Sequence, residues 1–333
     1  MNLYRNILKQ AGQLTWRYKF LWFFGLFATF LGSFGGYEIL VNRTNADFAQ
    51  GFFDKIERLK AVGVLDGSFF TGMISSFKAH PITTGISLII LLILVALFIF
   101  VVWLAVASQV GLVSSSALIY QKPQKTASLT IGKGIEKGTE KFWPVLGVNI
   151  FSKIIIYGIF FGLSLLFLWG SPYHSQLTTD ILYIVLFIIF IPVALVVAFI
   201  LKYAICYAVV EDKGFLESIK EGWNLFIRNW LISLEMALIL FFITFVASIV
   251  GVIISFLLSI PFYLLLNLLV FVSADLSFWF MIIGMLLLAL FITFVGAIIT
   301  TFKVSSWTNL FLQLRSKKGG VSKILRMAEK IKK

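Results

Sequence analysis

Charge is what this sequence has least of. Only 13% of its 333 residues are Asp, Glu, Lys or Arg, about half the ~25% of an ordinary soluble domain. A water-facing surface cannot be built from so few charges. Cysteine is nearly absent as well, and the single Cys206 excludes an internal disulfide. Histidine is limited to His80 and His174, neither with acidic or Cys neighbours at metal-ligand spacing. No nucleophile–base pair, metal set or nucleotide loop can be assembled. Gly132, Gly134 and Gly138 stand close together, but they match neither the dinucleotide fingerprint nor the P-loop. The expectation is a protein that is not an enzyme and needs no cofactor.

Long apolar runs are what the sequence has in quantity. Phe20–Gly36, Pro81–Ala107, Val145–Gly170, Ile181–Leu201, Leu231–Ser259 and Phe278–Phe302 are each long enough to cross a hydrocarbon core, which takes roughly 20 helical residues. Such segments must be helices, since a lone strand in lipid leaves its backbone unpaired. The fold class is therefore all-α: a polytopic membrane helix bundle of six spans. Pro261 interrupts the fifth region, and Pro261–Ser273 is short for a crossing, so it reads as a separate outer-leaflet or re-entrant helix. A cleaved signal peptide is disfavoured, because no A-x-A site follows the first run.

The remaining charges are sorted by side. With alternating loops, 22 Lys and Arg fall on the side of both termini and five on the other: Arg43, Lys55, Arg58, Lys60 and Lys78. This asymmetry places both ends in the cytoplasm. It also accounts for the net charge of +13 without nucleic acid. Three regions follow: a cytoplasmic amphipathic helix at 1–19, a membrane domain at 20–302, and a basic cytoplasmic tail at 303–333. The outer segment 37–80 holds two amphipathic patterns, one from Asp47 to Leu59 and one from Phe69 to Phe77.

A weak repeat runs through the chain. Each outgoing span is preceded by an amphipathic helix suited to a membrane surface or the bundle's inner rim. The first carries Leu3, Tyr4, Ile7, Leu8, Ala11 and Leu14. The second carries Ile131, Ile135 and Phe142, and the third Phe215, Leu216, Ile219, Trp223, Phe226 and Ile227. Trp16, Trp22, Trp143 and Trp230 then mark the entries as interface anchors. The second and third copies align by residue, Ala117–Tyr120 with Ala204–Tyr207 and Ile135–Gly138 with Ile219–Gly222. Ala28, Gly32 and Gly36 form a small-residue stripe for helix packing.

Polar residues inside the runs are costly. Lys153, with Asn149 and Tyr157 a turn to either side, and Glu235 on the fifth run are a candidate intramembrane polar site. Lys153 and Glu235 could meet if their spans pack together. Pro192 is placed to kink the fourth span. The expected partners are the bilayer itself, anionic inner-leaflet lipids reached by the basic helices and tail, and other membrane proteins.

Two stretches carry a resemblance: Trp16-Arg17-Tyr18-Lys19-Phe20-Leu21-Trp22-Phe23-Phe24-Gly25, and Ala204-Ile205-Cys206-Tyr207-Ala208-Val209-Val210-Glu211-Asp212-Lys213-Gly214 running into Ser218–Trp223. Through them the chain resembles a group of poorly characterised bacterial multi-span proteins. Their membrane domain is also found fused ahead of some glycerophosphodiester phosphodiesterases. The resemblance implies six or so spans in a bacterial plasma membrane. It carries over no chemistry, because the phosphodiesterase's soluble barrel is missing. The function expected is a non-catalytic scaffold or regulatory membrane protein, with a transporter or permease as the alternative.

Overall fold

The computed structural model describes residues 2–30, 68–124, 129–170 and 176–316. Among them there are helices and no strands. In chain order these are α1 (Asn2–Arg17), α2 (Leu21–Phe30), α3 (Ser68–Ala79), α4 (Pro81–Gln121), α5 (Ile131–Glu140), α6 (Phe142–Gly170), α7 (Gln176–Val210), α8 (Phe215–Arg228), α9 (Trp230–Val270) and α10 (Ala274–Arg315). Segments of α4, α6, α7, α9 and α10 are long and apolar enough to cross a membrane. Of the expected first span, residues 20–30 are described, and Gly32 and Gly36 lie outside the described residues. So do the Asp47–Leu59 pattern and the tail beyond Ser316. The Phe69–Phe77 pattern is realised as α3.

One expectation about a helix end is corrected. Pro261 does not end a helix: α9 runs through it without a break to Val270, so Pro261–Ser273 is not a separate element. Packing just beyond the proline explains the continuity. The Phe262 ring lies over Gly284 of α10, where a Cβ would collide with it, and stacks on Phe280 at 4.3 Å. Those contacts offset the backbone hydrogen bond that proline removes. The helix α10 continues past Lys303 to Arg315, so the first part of the basic region 303–333 is helical.

At 1.5 Å per residue the 41- and 42-residue helices are about 60 Å long, twice the ~30 Å of a hydrocarbon core. Composition divides α4 and α10 in two. In α4, Ile82 to Val101 present large aliphatic side chains outward, as lipid contact requires. From Ala105 onward the residues turn small and polar, and Ala107, Ser108, Gly111, Ser115 and Ser116 are buried. In α10 the change comes after Phe294, with Ala297, Thr301, Ser305, Ser306 and Thr308 buried. Small residues are what let helices approach closely where no hydrophobic effect drives them together.

The chain forms two compact units, one of Met1–Ser33, Ala105–Val148 and Phe199–Lys333, the other of Phe34–Leu104 and Asn149–Ala198. The second unit holds a small core of Ile156 from α6 against Phe190 and Ala194 from α7. In the first unit α10 is the axis, packed against α1, α2 and α9. On α2, Gly25 presses onto the Ala297 carbonyl and the Thr301 side chain, leaving no room for a Cβ. Ala28 is fully buried beside it. Thr301 Oγ donates to the Ala297 carbonyl at 2.8 Å and reaches the Leu21 carbonyl at 3.3 Å. The Thr29 and Thr300 hydroxyls lie 2.9 Å apart. Aromatic rings close the α7 side: Phe199 stacks on Phe226 and meets Trp307, and Tyr207 meets Phe311 edge-on.

The amphipathic helices bury their apolar patterns to different extents. In α1 the expected stripe is buried, with Ile7 and Ala11 at 0% and Leu14 at 3% exposure. In α5 the inward face is the small one, and in α8 small residues are buried together with Leu225 and Phe226. Gly134 and Gly138 are buried in α5, and the aligned Ser218 and Gly222 in α8. Leu216, Trp223 and Ile227 point outward. Small side chains therefore make the closest approach to the bundle, joined in α8 by Leu225 and Phe226, while part of each apolar stripe and the charges stay outside. A Cβ on Gly138 would stand 2.6 Å from the Ala107 carbonyl, and one on Gly222 2.7 Å from the Ile200 carbonyl. Gly12 of α1 has nothing within 4 Å.

These glycines predict opposite signs for one substitution. Gly12→Ala should raise thermal stability in detergent by up to ~1 kcal/mol, through helix propensity alone. Gly138→Ala and Gly222→Ala should lower it by about 1–3 kcal/mol through overpacking. Unfolding midpoints for the three variants check this, and a stabilised Gly222→Ala would contradict the close approach.

Candidate functional site: a polar cleft and an ion-paired turn

Polar side chains of the first unit gather in two places. One is the turn between α7 and α8, Glu211-Asp212-Lys213-Gly214. The chain reverses here with Asp212 in the left-handed region, φ 57°, which Asp tolerates better than most residues. That geometry fans three charges into three neighbours. Glu211 pairs with Arg315 of α10 at 2.6 Å. Asp212 pairs with Lys141, between α5 and α6, at 2.8 Å. Lys213 reaches Glu217 at 3.2 Å and Glu221 at 3.7 Å on α8. Glu140 extends the chain of charges, 2.6 Å from Lys137 and 3.5 Å from Lys141. The turn therefore ties together the ends of α5, α7, α8 and α10.

The protonation of these groups follows the pairing. Lys137, hydrogen-bonded to Glu140, holds that carboxyl below its ordinary value. The bond to Asp212 raises the Lys141 ammonium, against the opposing pull of burial. For Lys213 burial is the largest single influence and pulls downward, yet Glu217, Glu221 and Glu211 together leave it raised.

The other place is a cleft of about 450 Å3 between the C-terminal parts of α1, α4 and α10. Gln10, Gln13 and Arg17 line it from α1, Tyr120 and Gln121 from α4, and Asn309 and Gln313 from α10. Asn309 is only 3% exposed and is held from both ends. Its Nδ2 donates to Gln10 Oε1 at 2.8 Å, and its Oδ1 accepts from Gln313 Nε2 at 3.0 Å. The Tyr120 hydroxyl bonds the Ser305 hydroxyl at 2.6 Å. The Arg17 guanidinium stands 5.8 Å from the centre of the Tyr18 ring, and Tyr18 is itself part of the wall. The described residues lining the cleft include no Asp or Glu.

The four residues of the expected intramembrane site fall in different units. Asn149, Lys153 and Tyr157 lie on α6 in the second unit and Glu235 on α9 in the first. Lys153 and Asn149 are half-buried and Tyr157 is 49% exposed. Glu235 accepts a hydrogen bond from the Tyr4 hydroxyl of α1, a partner that its position in the sequence did not reveal. Of the expected anchors, Trp16, Trp143 and Trp230 present exposed rings. Trp22 is half-buried, and its Nε1 donates to the Thr15 carbonyl at 2.9 Å. His80 is exposed, His174 lies outside the described residues, and no metal-holding cluster occurs among the described residues.

The family model described as Domain of unknown function (DUF7847) matches residues 61–310, three quarters of the chain, and the chain belongs to that family. No curated protein and no solved structure matches it. Helices α1 and α2 precede the matched region.

The ion-paired turn predicts how stability varies with pH. The raised lysines stabilise the fold below their unfolded pKa of ~10.4 and lose that contribution as pH rises through their higher folded values. Glu140, with its lowered pKa, contributes above its unfolded value of ~4.3 and loses it as pH falls. The turn's contribution to the unfolding midpoint should be flat between those limits and fall on both sides. Glu211→Gln should cost about 0.5–1 kcal/mol throughout the flat region, since its half-exposed partner Arg315 stays solvated when the pair is lost. An unchanged midpoint in Glu211→Gln would remove the turn from the account.

Proposed function

We propose that this member of the DUF7847 family is a non-catalytic integral protein of a plasma membrane, a scaffold or regulator that works through its inner face. Six crossings with both termini cytoplasmic fit the basic asymmetry of the loops. In that orientation the polar cleft, the ion-paired turn, α5 and α8 all face the cytoplasm. The observation that carries the reading is the concentration of polar groups into one tightly seamed bundle. Gly25, Gly138 and Gly222 sit at backbone-to-backbone distance from their neighbours, and four helix ends are tied by one charged turn. Such a bundle suits a rigid platform better than an element that must open and close, because close-packed interiors transmit displacement rather than absorb it. The exposed Trp16, Trp143 and Trp230 suit an interface with anionic lipid headgroups.

Transport remains the competing class, supported by Pro192 within α7 and by the polar stripe of Asn149, Lys153 and Tyr157. The two classes separate in reconstituted vesicles. Proteoliposomes should be no more permeable to protons, potassium or chloride than empty vesicles. Reporter fusions after Lys125, Lys213 and Lys333 should all read the cytoplasmic side. A protein-dependent flux abolished by Lys153→Met would replace the scaffold by a transporter, and an opposite-side signal at Lys333 would overturn the six-crossing topology.

A further inference from the structure

The cleft between α1, α4 and α10 has the attributes of a binding site for one kind of chemistry. Gln10, Gln13 and Arg17 are spaced three and four residues apart, so they stand in one row along α1. The Gln10 carbonyl is already used by Asn309, so its amide N–H groups are what it offers to a ligand. Asn309 is fixed between Gln10 and Gln313, which keeps the far wall in place without a ligand's help. Arg17 supplies the one full charge among the described lining residues, and its guanidinium lies over the Tyr18 ring at 5.8 Å, at the cleft rim.

The sign of the field needs weighing. Helices α1, α4 and α10 all end at or within a turn of the cleft, and the terminal carbonyls of a helix carry about half a negative charge. That partial charge is spread over solvated groups. Arg17 brings a whole positive charge and a paired donor fork shaped for oxyanions. The guanidinium wins, and the site favours an anion.

We propose that the cleft binds a phosphate group carried on a small soluble molecule or on a lipid headgroup. Arg17 is the charged ligand, with Gln10 and Gln13 as amide donors. Three donor side chains in a row suit the three terminal oxygens of a phosphate monoester, or the two of a lipid phosphodiester together with a headgroup oxygen, better than the two of a lone carboxylate. The cleft volume of about 450 Å3 leaves room for the rest of the molecule. This deepens the regulatory reading and rests on it only for the side of the membrane that the cleft faces.

The test uses the full chain in nanodiscs. In phosphatidylcholine discs, radiolabelled inorganic phosphate should bind saturably at one site per protein, with acetate a poor competitor. Arg17→Gln should weaken binding at least about tenfold, as expected for one charge-assisted contact. Gln13→Leu should weaken it less but measurably, and Lys19→Gln, which lies outside the lining, should have no effect. If the phosphate belongs to a lipid, soluble phosphate will not bind. Native mass spectrometry from phosphatidylglycerol discs will then show one retained lipid in the parent protein and in Lys19→Gln, lost in Arg17→Gln and Gln13→Leu. Equal losses in Lys19→Gln and Arg17→Gln would mean a diffuse basic surface and overturn the proposal, as would no binding in either disc. Because binding is read without reference to sidedness or flux, failure of the scaffold reading leaves this result standing.

Discussion

Close approach between helix backbones is the constraint on which the rest of this structure depends. In a bilayer the lipid tails are as apolar as leucine, so burying leucine against leucine gains little. Helices hold together where small side chains bring backbones into contact and where polar groups find each other. Here those conditions meet along α10. Its second half replaces large aliphatic residues with Ala297, Thr301, Ser305 and Thr308. Gly25 and Ala28 of α2 fit against it, and α1 lies alongside. The same device recurs where Gly138 meets Ala107 of α4 and Gly222 meets Ile200 and Ala204 of α7.

The polar features follow from that packing. Once the helix ends are drawn together, their charges must be paired or hydrated, and the Glu211–Gly214 turn does the pairing. Hydroxyls inside the bundle are satisfied largely by their own helices: Thr301, Thr308 and Ser233 each donate to the carbonyl four residues back. Tyr203 in turn meets the Ser233 hydroxyl. The cleft is what remains where α1, α4 and α10 end at one level without closing on each other.

Much of the architecture was legible in the apolar runs, because a run of twenty large aliphatic residues leaves a helix few alternatives. What escaped was whatever depends on partners distant in sequence. Pro261 reads as a break in isolation and is overruled by Phe262 seated over Gly284, a residue 22 positions later. The apolar stripes of α5 and α8 left open whether they meet the membrane surface or the bundle's rim, and the closest contacts are made by the small residues Gly134, Gly138, Ser218 and Gly222, with Leu225 and Phe226 beside them. Gly25 was within reach of pattern reading, standing three residues before Ala28. The partnership of Tyr4 with Glu235, and of Gln10 with Asn309, joins opposite ends of the chain and leaves no periodic trace. The Glu211–Gly214 turn was visible as a motif, but its role as a charge hub needs the positions of Lys141 and Arg315.

The claim that α10 is the axis of the bundle can be tested by one cross-link. Thr29 of α2 and Thr300 of α10 bring their hydroxyls to 2.9 Å. With Cys206 replaced by Ser, the pair Thr29→Cys and Thr300→Cys should form a disulfide in native membranes under mild oxidation. The pair Thr29→Cys and Phe278→Cys should not, as residue 278 lies some 33 Å along α10 from residue 300. Absence of the first cross-link, or equal yield of the second, would contradict the packing from which every other feature of the account is derived.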